Sequence, residues 1–179
     1  MDEPTPDASA PTGGCRVPRI RALSVLQSRF ILSRNHVGRL AFVSDGRLEL
    51  LPIHYVFVDG CVIGRTSSSI GGASWEGNSE VVFEVDEPDR LFEWRSVIVR
   101  GVLRKLAPPL LSEDRPAYWS AVSAFQALVP DAFTERDPTP FRRALFTINP
   151  SEITGREASM SFLSRSRPDT PERSHGDHV

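Results

Sequence analysis

Residues Val37 to Thr66 read VGRLAFVSDGRLELLPIHYVFVDGCVIGRT, and this stretch decides the fold. Two Asp-Gly pairs, Asp45-Gly46 and Asp59-Gly60, separate runs rich in β-branched and aromatic residues. Asp-Gly in that setting is the strongest short-range signal for a two-residue hairpin turn. Strands are therefore predicted at Val37–Val43, Leu48–Val58 and Cys61–Thr66. The first is apolar toward both faces and reads as buried. The second alternates Ile53, Tyr55 and Phe57 against Pro52, His54 and Val56. Pro52 has no N–H for a ladder, so it marks an edge or a bulge.

Working outward, Ile20, Leu23, Leu26, Phe30 and Ile31 recur at helical spacing and predict an amphipathic helix ending near Asn35. Polar Ser67–Ser79 reads as a loop or short helix. Strands follow at Val81–Asp86 and Trp94–Leu106. Glu113–Val129 places Tyr118, Val122, Phe125 and Leu128 on one helical face, with Pro116 in the first turn and Pro130 as the stop. A last strand is predicted at Arg142–Ile148. Many strands joined by tight turns, with helices between and outside them, describe a mainly β domain: a small antiparallel barrel with helical covers. That domain is residues 19–162. Residues 1–18 and 163–179 are rich in Pro, Ser and charge, with little to bury, and read as disordered tails.

With 179 residues the chain suits one domain, and its net charge of −2 gives no broad reason to expect nucleic acid or an anionic membrane as partner. Cys15 and Cys61 fall in a tail and a strand, so no structural disulfide is expected and a reducing, cytoplasmic setting fits. The first eighteen residues lack the apolar run of a signal peptide, and no apolar stretch approaches a membrane span.

For chemistry, Arg65-Thr66-Ser67-Ser68-Ser69-Ile70-Gly71-Gly72 stands out. A guanidinium, four hydroxyls and two glycines that free backbone amides are what a phosphate monoester needs. The same composition also describes a solvated serine loop. No Lys or Arg occurs from Thr66 to Asp89. His54 and Tyr55 are either strand packing or cleft lining, and Glu84 with Asp86 forms a polar strand face. No Gly-x-Ser-x-Gly, Walker, Rossmann or zinc spacing is present, and no metal is expected.

Gly38–Phe42, Pro52–Tyr55, Gly64–Thr66, Val82–Asp86, Trp94–Gly101 and Ile148–Arg156 follow one another in an order that resembles the pyridoxamine 5′-phosphate oxidase-like flavoproteins, in the branch near the nitroimidazole-resistance reductases. The resemblance spans residues 22–157. It implies a six-stranded antiparallel split barrel of the FMN-binding type, dimerising with itself around two clefts that each take an FMN. Relatives in the wider group bind a deazaflavin coenzyme, haem or nothing. By the same resemblance Arg65, Thr66, Ser67 and Ser69 hold the flavin phosphate, with the Arg65 guanidinium facing the cleft. Pro52, Ile53, His54 and Tyr55 line the flavin, and Trp94 and Ser96 reach the flavin of the partner subunit.

Two departures stand out. The lysine that usually follows the threonine is missing. Glu93-Trp94-Arg95-Ser96-Val97 replaces Gly-Trp-Ser-Val, so Arg95 changes which face Trp94 occupies relative to Ser96 unless a bulge absorbs it. The implied activity is an oxidoreductase passing electrons from a reduced nicotinamide through FMN to a small planar acceptor. The alternatives implied are a deazaflavin-dependent reductase and a non-catalytic protein that binds flavin or haem under stress.

Overall fold

Both Asp-Gly pairs turn as the sequence predicts. Asp45 and Gly46 have φ of 49° and 73°, and Asp59 and Gly60 have 52° and 80°. Paired left-handed residues make a type I′ turn, whose twist matches that of the strands it joins. The computed structural model describes residues 16–67, 79–108 and 115–162. The tails to either side, apart from residues 16–18, lie outside these residues.

The elements run β1 (Arg16–Leu23), α1 (Val25–Arg34), β2 (Val37–Ser44), β3 (Arg47–Val58), β4 (Cys61–Thr66), β5 (Ser79–Arg90), β6 (Glu93–Leu106), α2 (Arg115–Leu128) and β7 (Ala144–Phe162). Neighbouring strands lie in the order β1-β7-β4-β3-β2-β5-β6, and β6 pairs again with β7. Six strands therefore close a ring, all antiparallel, which is the expected split barrel. The seventh, β1, stays outside the ring and pairs with Gly155–Phe162 of β7. Glu157 ties the three strands there. It is buried, it accepts from Nε of Arg95 on β6 at 2.7 Å, and it pairs with Arg21 on β1.

The ring encloses Leu40, Phe42, Ile53, Tyr55, Val62, Phe83, Val97, Val99, Phe146 and their neighbours, with Ile31 and Leu32 of α1 packed among them. A second cluster lies outside the ring, where Ala121, Val122 and Phe125 of α2 cover Val56, Ile63 and Leu145. Close packing inside the ring uses Gly64, whose partner across the β4–β7 ladder is Phe146. A Cβ on Gly64 would sit 2.0 Å from the Phe146 ring, so the ring fills the space that a side chain would need.

The structure corrects four readings. Ile20 and Leu23 belong to strand β1, which begins at Arg16, and the helix starts only after Ser24. Ser24 Oγ accepts from the Gln27 amide at 3.2 Å and Gln27 Oε1 accepts from the Ser24 amide at 2.9 Å, a capping box. The helix buries Ser28, Ile31 and Leu32 and leaves Leu26 and Phe30 exposed. Strand β2 is buried on one face only, with Val37 and Val43 outward. Strand β7 runs through Pro150 to Phe162 because Pro150 stands opposite Gly101, beside a register shift at which β7 carries one extra residue, Ser151. Pro52 lies as expected: among the described residues β3 pairs with β4 only from His54 onward, which leaves one edge open at Pro52. Among the described residues, no helix is long and apolar enough to cross a membrane.

Candidate functional site

The pleat sorts the β3 candidates at once. Ile53 and Tyr55 point into the ring and are buried, whereas Pro52 and His54 point outward and are exposed. Tyr55 donates its hydroxyl to the Leu32 carbonyl at 2.8 Å and fixes α1 to the barrel. Burial, with Glu87 adding to it, holds this phenol protonated well above its ordinary range. Ile53 and Tyr55 are therefore core residues: packing, one of the two readings open for Tyr55, is the one the structure shows, and the expectation that the Ile53 side chain lines a cleft is corrected.

Arg65 is corrected as well. It stands opposite His54 in the β3–β4 ladder, on the same outward face, but α2 and the segment that follows it cover this end. Its guanidinium is enclosed beneath that cover and the residue is 3% exposed. Nη2 donates to Asp137 Oδ2 at 2.7 Å and to the Thr139 carbonyl at 3.1 Å, and Nε donates to the Arg142 carbonyl at 2.9 Å. The Phe133 ring lies 4.4 Å beneath it. A cation so enclosed does not face an open cleft. Its partner Asp137 also accepts from the amides of Phe133 and Thr139. Burial works to raise the Asp137 pKa, but Arg65 and these two amides outweigh it and bring the value down to about 2.

His54 is at the rim of this covered zone. Burial, then the positive charges of Arg142 and Arg65, lower its proton affinity, so at neutral pH it presents one N–H and one lone pair. Thr66 and Ser67 end β4 nearby, both half-buried. Ser69 lies outside the described residues.

Away from the rim, a polar row crosses the outward face. Pro52 stands opposite Arg39, Arg39 opposite Glu84, and Asp86 opposite Ser96. Arg39 pairs with Glu84 at 3.1 Å and also with Asp86, and Ser96 Oγ donates to Glu84 at 3.0 Å, so the two carboxylates form the polar face that the sequence suggests. No register shift occurs from Trp94 to Val97 on either side of β6; the shift at Pro88/Arg90 of β5 falls before Trp94. Trp94 and Ser96 therefore share one face and line a groove of about 380 Å³ with Pro88 and Leu91.

Beside the row the face is apolar. Val37, Val43, Leu48 and Leu50 are 58–77% exposed, and Val43 and Leu48 border a groove of about 460 Å³ that reaches Arg100. The outward face thus carries Pro52, His54, Trp94 and Ser96, with Thr66 and Ser67 where β4 ends just beyond the partner of His54, whereas the side chains of Ile53 and Tyr55 lie in the ring and the Arg65 guanidinium is covered. Asp137, Phe133 and Arg142 are the additions. Nothing in their spacing signals them, because Arg65 and Asp137 are 72 positions apart. Among the described residues, no group of three His, Cys, Asp or Glu side chains could hold a metal ion.

A family model described as pyridoxamine 5′-phosphate oxidase matches residues 26–157. No curated protein matches the chain. Among solved structures, an FAD-binding protein from Mycobacterium smegmatis is 26% identical, with a TM-score of 0.58 over 76% of this chain and 98% of its own. An FAD-binding protein from Mesorhizobium loti is also 26% identical, with a TM-score of 0.61 over 80% of this chain and 99% of its own. A structure described as a 5-nitroimidazole antibiotic resistance protein from Bacteroides thetaiotaomicron shares the fold at 9% identity, with a TM-score of 0.60 over 86% of this chain and 97% of its own.

Proposed function

The chain belongs to the pyridoxamine 5′-phosphate oxidase family, and from that membership we propose that it is a cytoplasmic, flavin-dependent oxidoreductase. The observation that carries the flavin reading is the likeness, at 26% identity and over nearly their whole length, to two proteins described as FAD-binding. The residues fit such a ligand. An outward strand face offers flat apolar surface for a ring system. His54 offers a donor and an acceptor to its polar edge, and the Thr66 and Ser67 hydroxyls stand where a phosphate arm would end.

When bound, the flavin would supply electron transfer between a reduced nicotinamide and a small planar acceptor such as a nitroaromatic or quinone. The protein orients the ligand. His54 stays neutral and hydrogen-bonds it, while the Arg39–Glu84–Ser96 network keeps the strand face rigid beside it. FMN is the nucleotide that the segment after β4 favours, and FAD is the one named for the two relatives.

The same reading places a second copy of the chain on the apolar face of β2 and β3, enclosing a cleft on each side. Val37, Val43, Leu48 and Leu50 supply the apolar centre that a dimer interface needs.

The test is direct. The purified chain is expected to show flavin absorption bands, alone or after adding FMN or FAD, and the released ligand is weighed by mass spectrometry. Reduced nicotinamide is then offered with a nitroaromatic or a quinone. A chain that binds neither flavin overturns the proposal. A chain that binds flavin without turnover keeps the binding reading and loses the oxidoreductase.

A further inference from the structure

We propose that Arg142, rather than Arg65, is the cation that holds the phosphate of the bound nucleotide, with His54 beside it, and that the Arg65–Asp137 pair is the device that positions Arg142 there. The inference rests on the flavin-nucleotide reading above and names the phosphate subsite of that ligand.

Arg65 cannot leave its present partners cheaply. Its guanidinium makes three hydrogen bonds and stacks on Phe133 in a pocket that leaves the residue 3% exposed. Turning it outward would strand the Asp137 carboxylate in the interior, and a buried charge without its partner is among the costliest defects a fold can carry. An incoming phosphate cannot offset that cost and still be held firmly.

The bonds that occupy Arg65 have a common direction. All run to the segment 137–142, and one grips the main-chain carbonyl of Arg142 itself. The backbone at Arg142 is therefore fixed against β4, next to the position where Arg65 stands opposite His54. The Arg142 side chain is half-buried beside the Phe141 ring, 5.8 Å from its centre, and among the described residues no carboxylate pairs with it.

Its charge acts on the His54 imidazole more strongly than the charge of Arg65 does. Thr66, one residue beyond Arg65, is opposite Ala144, two residues beyond Arg142. A guanidinium without a hydrogen-bond partner among the described residues, a neutral imidazole and the Thr66 hydroxyl that closes β4 thus meet at one rim. Arginine suits a phosphate because its planar fork donates two parallel bonds to two oxygens. The stretch from Thr66 to Asp89 holds no basic residue that could do this instead.

The phosphate could be the monoester of FMN or the diphosphate of FAD, and one set of titrations separates them. Full-length wild type, Arg142→Gln, Arg143→Gln and Asp137→Asn are titrated with FMN, FAD, riboflavin and inorganic pyrophosphate, and the His54 imidazole is followed by NMR. Arg142→Gln is expected to weaken FMN or FAD, and pyrophosphate, by about ten- to a hundredfold, the range of a charge-assisted pair. Riboflavin binding stays unchanged.

Arg143, exposed and bonded to the Pro140 carbonyl, is the control, and its variant binds as wild type. Asp137→Asn weakens the same anions through the position of Arg142. In the ligand-free protein Arg142→Gln raises the His54 pKa, because the guanidinium charge beside the imidazole is removed. Tighter binding of FMN than of FAD, or the reverse, identifies the source of the phosphate. If pyrophosphate binds through Arg142 while no flavin binds, the subsite stands and the flavin reading falls. If Arg142→Gln binds the phosphate ligands like wild type, or if wild type binds none of them, the proposal is overturned.

Discussion

Arg65 and Asp137 meet at 2.7 Å with side chains 4% and 1% exposed. Taking two charges out of water costs several kcal/mol each, which a single contact does not recover. What recovers it here is completeness. The Asp137 oxygens also receive the Phe133 and Thr139 amides, and Arg65 also reaches two carbonyls. Phe133 is held with φ of 63°, a left-handed conformation that side-chain-bearing residues resist, and the hydrogen bond its amide donates to Asp137 helps keep it there.

Removing either partner is therefore a stability defect first. Arg65→Ala or Asp137→Ala is expected to cost about 3–5 kcal/mol in urea unfolding of the ligand-free protein, the range for a buried charge left alone. Asp137→Asn, which keeps a hydrogen-bonding shape, costs less. A change below about 1 kcal/mol in Arg65→Ala would mean that the guanidinium is not enclosed.

The pH dependence has a definite sign. The folded pKa of Asp137 is about 2, below the usual carboxylate value of about 3.9 in an unfolded chain. Its contribution is complete above the unfolded value and disappears as the pH falls through about 2. The stability gap between wild type and Asp137→Asn is expected to be constant from pH 7 to 5 and to close below pH 4. A gap that widens toward acid would contradict this.

Gly64→Ala is expected to destabilise the barrel by about 1–3 kcal/mol, because the new Cβ collides with the Phe146 ring. Phe146→Leu costs stability alone through lost contacts. Combined with Gly64→Ala it is expected to cost less than the sum, since each change accommodates the other. A double-mutant cycle of denaturant midpoints measures the coupling.

If a second copy covers the β2–β3 face, Leu48→Glu with Leu50→Glu is expected to give a folded monomer. The two side chains are 77% and 61% exposed in a single chain, so their replacement leaves the fold intact. A specific dimer buries about 800 Å² per partner, and two charges at its centre are enough to disrupt it. Light scattering of both forms decides, and a wild-type monomer refutes the dimer outright.

What the sequence makes legible here is local. Asp45-Gly46 and Asp59-Gly60 set their own backbone, and the alternation around Ile53 and Tyr55 states which side faces in. Tyr118, Val122 and Phe125 mark α2 by spacing alone, although Leu128 at its end is 41% exposed. Ile20 and Leu23 mislead because a spacing of three suits a helix, whereas the helix begins only after Ser24, where the structure shows a capping box with Gln27. The continuation of the last strand past Ile148 depends on the pairing of Pro150 with Gly101, which no local pattern shows. At the site, Arg65 followed by hydroxyls has the composition of an anion loop. Whether its guanidinium faces a ligand depends on Asp137, and no local pattern carries that information.

Strand β7 has a bearing on how the protein is made. It pairs with β4, β6 and β1, yet among the described strands it is synthesised last. Until residues 144–162 emerge from the ribosome, the nascent sheet is an open curl with a seam between β4 and β6. Val62, Val97 and Val99 face that seam, and β1, made first, has nowhere to dock. Pairings such as Arg16 with Phe162 span almost the whole described chain, the kind of non-local contact that slows folding and prolongs exposure of apolar surface. A pause in translation before Ala144 therefore exposes this protein to aggregation more than a pause anywhere after it.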